Sequence, residues 1–330
     1  MGRQAGIIAL GLLATTLAAR AEAACSVAIT GELKFELVDG SPVMSGVIEG
    51  KPVRFGLALG SRFNEITDEA VARLDLNAQS EEGVTAYSSG RPISLRSVRT
   101  PLDLGGAQVR EGLFLVNPNR SDRLDGVIGD LMFDRFDIEL DPTKSVLRLV
   151  TASDCKDEPL VYWEGATAVA PLGVWQEGMT TEVKVNGRTL TAKLAPQIPV
   201  SLLSLEAGRL LGFGPESPGV EAAPPYREGA NPTWFVRVQS FAIGEEVIQS
   251  TRLRLGNVNA GRARDIPTGS RTSLPVTEPY QMILGADFFA SHRVLFAKGQ
   301  KRLYLTYLGG GVFRRPTAAV PPAAVGGLTP

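Results

Sequence analysis

The chain is poor in several residue types on which common catalytic and metal sites depend. Of its 330 residues, one is histidine and two are cysteine. A metal site built from several histidines is therefore excluded, and a serine–histidine triad would have to use His292. The chain also has no Cys-x-x-Cys pair, no glycine-rich phosphate loop before a helix and no His-Glu-x-x-His sequence. We therefore expect neither a bound metal nor a cofactor.

An excess of either charge is also lacking. The 34 lysines and arginines nearly balance the 35 aspartates and glutamates, and the formal net charge is −1. Because no basic stripe is present, we expect no nucleic-acid partner. Hydrophobic residues make up 44% of the chain, which is typical of a globular protein, and its length allows two domains of ordinary size.

Long hydrophobic runs are absent except near the N-terminus. Ile7–Leu17 is mostly apolar, Arg3 precedes it, and Ala21-Glu22-Ala23 matches the cleavage site of a signal peptide. The run is too short to span a bilayer comfortably. We expect residues 1–23 to be removed on export, leaving a periplasmic or secreted chain without a transmembrane segment.

The two cysteines fit this compartment. Cys25 would lie at the start of the mature chain, and Cys155 lies in the middle of the sequence. Two cysteines in an exported protein predict one disulfide. Two alternatives stay open: both thiols are unpaired, or Cys25 is lipidated and anchors a lipoprotein, although Glu22-Ala23-Ala24 is a poor lipoprotein box.

The most informative feature that is present is a pattern that occurs twice. Gly50 aligns with Gly187, and without a gap the strand that follows ends in Ala58-Leu59-Gly60-Ser61 in the first copy and Ala195-Pro196-Gln197-Ile198 in the second. Each copy predicts a hairpin turn, an apolar strand, a tight loop and a short helix.

The ends of the two copies also match. Asp125–Phe133 aligns with Gln281–Phe289, and Phe136–Leu149 aligns with His292–Leu305. In both copies an apolar strand ends in glycine, which permits close approach to another backbone. Paired motifs in the same order, twice, make chance similarity a poor explanation.

This arrangement resembles the bacterial retropepsin-like aspartic protease family in two tandem copies, at residues 40–150 and 175–308. In that family the strand runs into Asp-Thr-Gly-Ala, and a later Leu-Gly-x-Asp-Phe-Leu opens a helix. The resemblance implies an all-β fold of two retropepsin-like β-barrel domains with a few short helices. The expected organisation is a signal peptide (1–23), a first domain (24–150), a linker (151–174), a second domain (175–308) and a Pro/Ala/Gly-rich tail (309–330).

Local patterns agree with this fold class. Short alternating stretches separated by Gly and Pro turns predict many short strands, as in closed or partly closed barrels. The predicted helices are short: Asp68–Leu74, Leu131–Arg135, Leu205–Leu211 and Asp287–Ser291.

The resemblance breaks at the catalytic positions. Ala58 and Ala195 stand where the family has its two catalytic aspartates. Such enzymes activate water with two carboxylates that share a proton, and alanine has no titratable group. We therefore expect a protein that is not an enzyme, a pseudo-protease.

Neighbouring titratable residues offer no replacement. Glu69 and Glu206 align with each other but fall on the predicted helices, where we expect exposed carboxylates. Asp130 and Asp287 are out of register with each other, and we expect them to cap helix starts. His292 aligns with the apolar Phe136 and is expected to be structural.

Peptide binding does not need the carboxylates, because the cleft of this fold holds an extended peptide by main-chain hydrogen bonds. We expect a pseudo-protease that binds an extended segment of a partner protein, or an accessory subunit of a periplasmic or envelope complex. Its candidate cleft residues are Leu59, Gly60, Ser61, Pro196, Gln197 and Trp234. The alternatives are an active or partner-activated peptidase and a purely structural spacer.

Overall fold

The computed structural model describes residues 25–88, 91–117, 124–175, 178–226, 230–258, 265–267, 273–275 and 280–314. The predicted signal peptide (1–23) and residues 315–330 of the predicted tail lie outside these ranges. Within the described part of the chain, no helix is both long enough and apolar enough to cross a membrane.

The first half of the chain is built mainly from strands, with helix α1 (Asp68–Leu74) and a 3₁₀ turn (Asp130–Phe133). In chain order the strands are β1 (Ser26–Lys34), β2 (Glu36–Val38), β3 (Ser41–Ile48), β4 (Lys51–Ala58), β5 (Asn64–Thr67), β6 (Gln79–Ser88), β7 (Arg91–Leu104), β8 (Ala107–Asn117), β9 (Gly126–Gly129), β10 (Asp137–Asp141) and β11 (Val146–Ser153).

The second half repeats this plan, with helices α2 (Leu205–Leu210) and α3 (Ala286–Phe289). Its strands are β12 (Ala168–Trp175), β13 (Gly178–Val185), β14 (Arg188–Leu194), β15 (Leu202–Ser204), β16 (Glu221–Ala223), β17 (Thr233–Ile243), β18 (Glu246–Gly256), β19 (Asp265–Pro267), β20 (Ser273–Pro275), β21 (Met282–Leu284), β22 (His292–Ala297) and β23 (Arg302–Tyr307).

Each half closes into a six-stranded β-barrel, which confirms the predicted fold class. The first barrel has the order β3-β4-β9-β5-β8-β7 and closes where β7 pairs with β3. The second has the equivalent order β13-β14-β21-β15-β18-β17 and closes where β17 pairs with β13. Both combine parallel and antiparallel pairs: β4 runs parallel to β9, and β14 runs parallel to β21.

A further antiparallel sheet, in the order β1-β11-β10-β22-β23-β12, joins the two halves. At its centre Glu139 of β10 pairs with Leu295 of β22. These two residues occupy the same position in the sequence repeat, because the alignment of Phe136 with His292 continues without a gap. The local two-fold axis that relates the copies therefore passes between β10 and β22.

The two faces of the joining sheet differ in chemistry. One face contributes apolar side chains such as Ile138 and Val294 to the main core. On the other face, Glu139 is fully buried between two arginines, with Oε1 at 2.7 Å from Arg148 and from Arg293. A buried carboxylate needs such pairing. Loss of either arginine would therefore leave Glu139 poorly paired and destabilise the junction.

The segment between the two halves covers the charged face of this sheet. Trp163 places its ring centroid 4.2 Å from the guanidinium of Arg293, and its Nε1–H donates to Thr306. Nearby, Cys25 and Cys155 form a disulfide, with their Cα atoms 4.5 Å apart. The predicted cysteine pairing is confirmed, and the bond fastens the start of β1 to this segment.

Equivalent caps start the first helix of each half. The hydroxyl of Thr67 accepts from the N–H of Ala70, and that of Ser204 accepts from the N–H of Ala207, both at 3.0 Å. A hydroxyl at the N-cap satisfies an amide that has no partner within the helix. Helix α1 has the predicted bounds, and α2 ends one residue before its prediction.

Candidate functional site

The candidate site is the pair of loops that follow β4 and β14. Each loop is closed by the same backbone hydrogen bond: Ser61 N–H donates to Ala58 O at 2.8 Å, and Ile198 N–H donates to Ala195 O at 2.9 Å. A second pair of equivalent hydrogen bonds ties each loop to the residue after the repeated glycine. Asp130 N–H donates to Ser61 O at 2.9 Å, and Ala286 N–H donates to Ile198 O at 2.7 Å.

Polar side chains just beyond the loops add a third equivalent contact. Asn64 Oδ1 accepts from the N–H of Gly129 at 3.0 Å, and Ser201 Oγ accepts from the N–H of Gly285 at 2.9 Å. A Cβ added to either glycine would lie 2.5 Å from a backbone atom of the neighbouring loop. The close approach inferred from the sequence explains why glycine stands at both positions.

The two loops meet each other across the junction. A Cβ added to Gly60 would lie 3.2 Å from the Cβ of Ala195, so these two predicted site residues come together. Gly178 has φ +113° and lies directly against Gly60, where any side chain would overlap the backbone. In addition, the N–H of Met179 donates to Leu59 O at 3.2 Å. The first loop is therefore packed against the second lobe.

The positions of Ala58 and Ala195 are buried. Ala58 is 1% exposed, and Leu59 and Ala195 are fully buried. Leu59 belongs to the main core, whereas Ala195 lies in a separate apolar cluster with Val200, Leu202, Val258, Tyr280 and Ile283, against which Ile198 and Tyr226 pack. The centre of the site is thus apolar and closed to water.

The remaining predicted site residues differ in their surroundings. Gly60 and Pro196 are buried, whereas Ser61 and Gln197 are half-buried. The Oε1 atom of Gln197 is itself buried and has no hydrogen-bond partner in the described part of the structure. Trp234 lies on β17, opposite Leu255 of β18, and is half-buried against the main core.

Asp130 has a different role from the predicted one. It was expected to cap a helix, but Gly129 is the N-cap of the 3₁₀ turn and the cap makes no side-chain hydrogen bond. The buried Asp130 carboxylate pairs instead with Arg62 at 3.3 Å, and Arg62 also contacts Asp134 at 3.0 Å. Burial raises the pKa of Asp130 to about 6, and the nearby Arg62 charge opposes this rise.

The helix-cap prediction is wrong for Asp287 as well, because Gly285 is the N-cap of α3. Asp287 Oδ1 accepts from the N–H of Ser201 at 2.7 Å and from its hydroxyl at 2.6 Å. Burial raises the pKa of Asp287 to about 6, while the hydrogen bonds from Ser201 oppose the rise. Asp287 therefore holds the end of the second loop against α3.

The other titratable residues near the repeats are structural or exposed. Glu69 and Glu206 are exposed on α1 and α2, as predicted. His292 is fully buried, with Nδ1 2.8 Å from Phe288 O and Nε2 2.9 Å from Glu246 Oε1. This packed, hydrogen-bonded position agrees with the structural role that the sequence predicts. Among the described residues, no three His, Cys, Asp or Glu side chains come together in a way that could hold a metal ion.

Comparison with known proteins adds no family to this description. A scan against protein-family models found no match. A search of the curated proteins found no similar sequence. The resemblance to retropepsin-like proteases stays a prediction that depends on the repeated motifs.

Proposed function

We propose that the protein is an exported, catalytically inactive relative of the retropepsin-like proteases that binds an extended segment of a partner protein. It would do so alone or as an accessory subunit of a periplasmic or envelope complex. The observation that carries this proposal is the pair of loops around Ala58 and Ala195. Their equivalent backbone hydrogen bonds are kept in both halves, while both positions hold a buried methyl group.

Hydrolysis has no chemical support at this site. Water attack on a peptide bond needs an acid and a base in place, each worth roughly 10²–10⁴ in rate. Ala58 and Ala195 supply neither, and Pro196 in the second loop has no N–H and a fixed φ. Of the buried carboxylates nearby, Asp287 binds Ser201, and Asp130 pairs with Arg62 through Oδ2, while its Oδ1 has no hydrogen-bond partner among the described residues.

Binding of a peptide has more support. An extended chain can be held through main-chain hydrogen bonds, as strands are added to a sheet. The Oε1 atom of Gln197 is buried without a hydrogen-bond partner among the described residues, which costs about 1–3 kcal/mol. The proposal requires this side chain to turn outward, so that a peptide N–H can satisfy the acceptor. Export is supported by the disulfide between Cys25 and Cys155, since such bonds persist in oxidising compartments.

The proposal can be tested with a photo-crosslinking residue placed at Ser61 and, as a control, at Val247. Ser61 is half-buried in the first loop, and Val247 is exposed near the turn between β17 and β18. A library of short, unstructured peptides with blocked ends should crosslink at Ser61 and not at Val247, and Gln197→Ala should weaken the reaction. Equal labelling at both positions would remove the support for a cleft at the loops.

A further inference from the structure

The two barrels differ at the seam where each one closes. In the second barrel, β13 pairs with β17 at Lys184 and Val185. Asn186 then extends the seam: its N–H donates to Ser240 O at 2.9 Å, and its Oδ1 accepts from the N–H groups of Gln239 and Ser240 at 2.8 and 3.2 Å. We call these three hydrogen bonds the asparagine clamp. They close the second seam.

The first barrel has no such clamp. Its seam consists of one residue pair, Val47 of β3 with Asp103 of β7. Glu49 stands at the position of Asn186. Pro101 stands at the position of Ser240, because each lies two residues before the seam pair on its strand. Proline has no N–H to donate, so one of the three hydrogen bonds of the clamp cannot form. Glu49 Oε1 accepts instead from the hydroxyl of Thr100 at 3.5 Å.

A cavity of 530 Å³ lies beside the seam of the first barrel, which we call the open seam because it has no asparagine clamp. This volume lies within the range of about 300–1,000 Å³ that small-ligand sites occupy. Val47 and Val109 give the cavity apolar walls, and Val47 is 42% exposed. Leu102 also lines the cavity but is buried in the main core. Glu49 and Asp103 add two carboxylates to the lining. Apolar walls with carboxylates beside them match a side chain that has an aliphatic stem and a positive head.

We propose that the open seam of the first barrel docks a lysine or arginine side chain from an extended segment of a partner polypeptide. The methylene groups of that side chain lie along Val47 and Val109, and its cationic head meets Glu49 and Asp103. Arg110 also lines the cavity. Its charge disfavours a second cation, so the seam is suited to a single basic residue flanked by neutral ones.

This docking site does not depend on the loops around Ala58 and Ala195. It is formed by β3, β7 and β8 of the first barrel alone, whereas the loops lie at the junction of both barrels. The two sites can therefore be tested separately on the full chain.

The probe is a fluorescein-labelled peptide, acetyl-Val-Thr-Arg-Val-Thr-amide, with a matched peptide that has Glu in place of Arg. Fluorescence anisotropy should show binding of the basic peptide only, and the affinity should fall as salt is added. Glu49→Gln should weaken binding up to about fivefold, since ion pairs at an exposed rim are weak. Equal binding of both peptides, or no binding of the basic one, would overturn the proposal.

The decisive variant gives the first barrel the clamp of the second. Glu49→Asn with Pro101→Ser restores both partners of the asparagine clamp, so it should close the seam and reduce peptide binding by about tenfold or more. If this variant does not fold, Val47→Lys is tested instead. It places in the groove the residue type that the second barrel has at the matched position, Lys184, and should reduce peptide binding to the same extent. Lys184→Val, at the matched position of the closed seam, is the control. Unchanged affinity in the folded Val47 or clamp variant would contradict docking at this seam.

Discussion

The two halves of the molecule share their backbone hydrogen bonds but not the side chains that support them. In the first half, Asn64 reaches Gly129, and the adjacent Asp130 pairs with Arg62. In the second half, Ser201 reaches Gly285 and also binds Asp287. The loop geometry is therefore the same in both halves, while the acid groups beside it occupy different positions and have different partners.

The two barrels also share the features that shape their strand ends and their helix starts. Both barrels keep the glycine at the strand end and the hydroxyl that caps the following helix. Neither has a carboxylate at the loop centre, where Ala58 and Ala195 are buried. The shared features position the strand ends and the helix starts, and both loop centres are apolar.

The largest expected effect comes from placing a carboxylate at both loop centres. Ala58→Asp with Ala195→Asp places two acids where 1% or less of the alanine is exposed, and a buried unpaired charge costs several kcal/mol. We expect a loss of at least ~3 kcal/mol in unfolding free energy at pH 7.5. The loss should shrink at pH 4, where buried acids become neutral. Urea denaturation at both pH values measures this.

The uncharged variant Ala58→Asn with Ala195→Asn is the control for this experiment, because asparagine adds a polar group of the same size as aspartate without charge. It should lose clearly less stability at pH 7.5. A double aspartate variant as stable as the parent protein would mean that the loop centre is open to water.

The next largest effect tests the equivalence of the strand ends. Gly129→Ala and Gly285→Ala should each cost about 1–3 kcal/mol or more, because the new Cβ would meet backbone at 2.5 Å. Gly299→Ala, where no atom lies within 4 Å of the added Cβ, should change stability little. Thermal unfolding of the three variants measures these costs. A large difference between Gly129→Ala and Gly285→Ala would contradict the equivalence of the two halves.

A smaller effect concerns pH. The folded-state pKa of Asp287 is raised to about 6, so the stability it contributes is full below about pH 4 and is lost as the pH rises through 6. Asp287→Asn removes this ionisation and keeps an acceptor for Ser201. The variant should gain up to about 3 kcal/mol relative to the parent between pH 4 and pH 8. Unfolding curves at several pH values should show this gain.

The matched substitution in the first half should behave differently. Asp130→Asn also removes a carboxyl whose pKa is raised to about 6, but it breaks the ion pair with Arg62. Its gain at pH 8 should therefore be smaller than that of Asp287→Asn. An equal or larger gain would show that Arg62 contributes nothing to Asp130.

Much of this architecture follows from local patterns in the sequence. The repeats around Gly50 and Gly187, and the paired glycines at the strand ends, predicted two similar barrels with short helices. The disulfide was predicted from the number of cysteines and the apparent leader. These features depend on local periodicity, turn chemistry and covalent bonding, which a sequence displays directly.

What the sequence did not predict depends on contacts between distant segments. The sheet that joins the halves needs β10 and β22 to meet, and no local pattern records that pairing. The bonds of Asp130 and Asp287 were missed because both acids sit next to a helix start, where capping is the common role. The difference between the two seams could not be predicted from the sequence, because the pairing that places Pro101 opposite Glu49 joins distant segments.

The central claim is that this protein binds extended polypeptide without cleaving it. The most direct measurement is the fluorescence anisotropy of a labelled pool of unfolded polypeptides, followed for hours at pH 3.5 and pH 7.5. On this account the anisotropy rises when the protein is added and then stays constant. A fall below the starting value, stopped by an aspartic-protease inhibitor, would show cleavage and contradict the account.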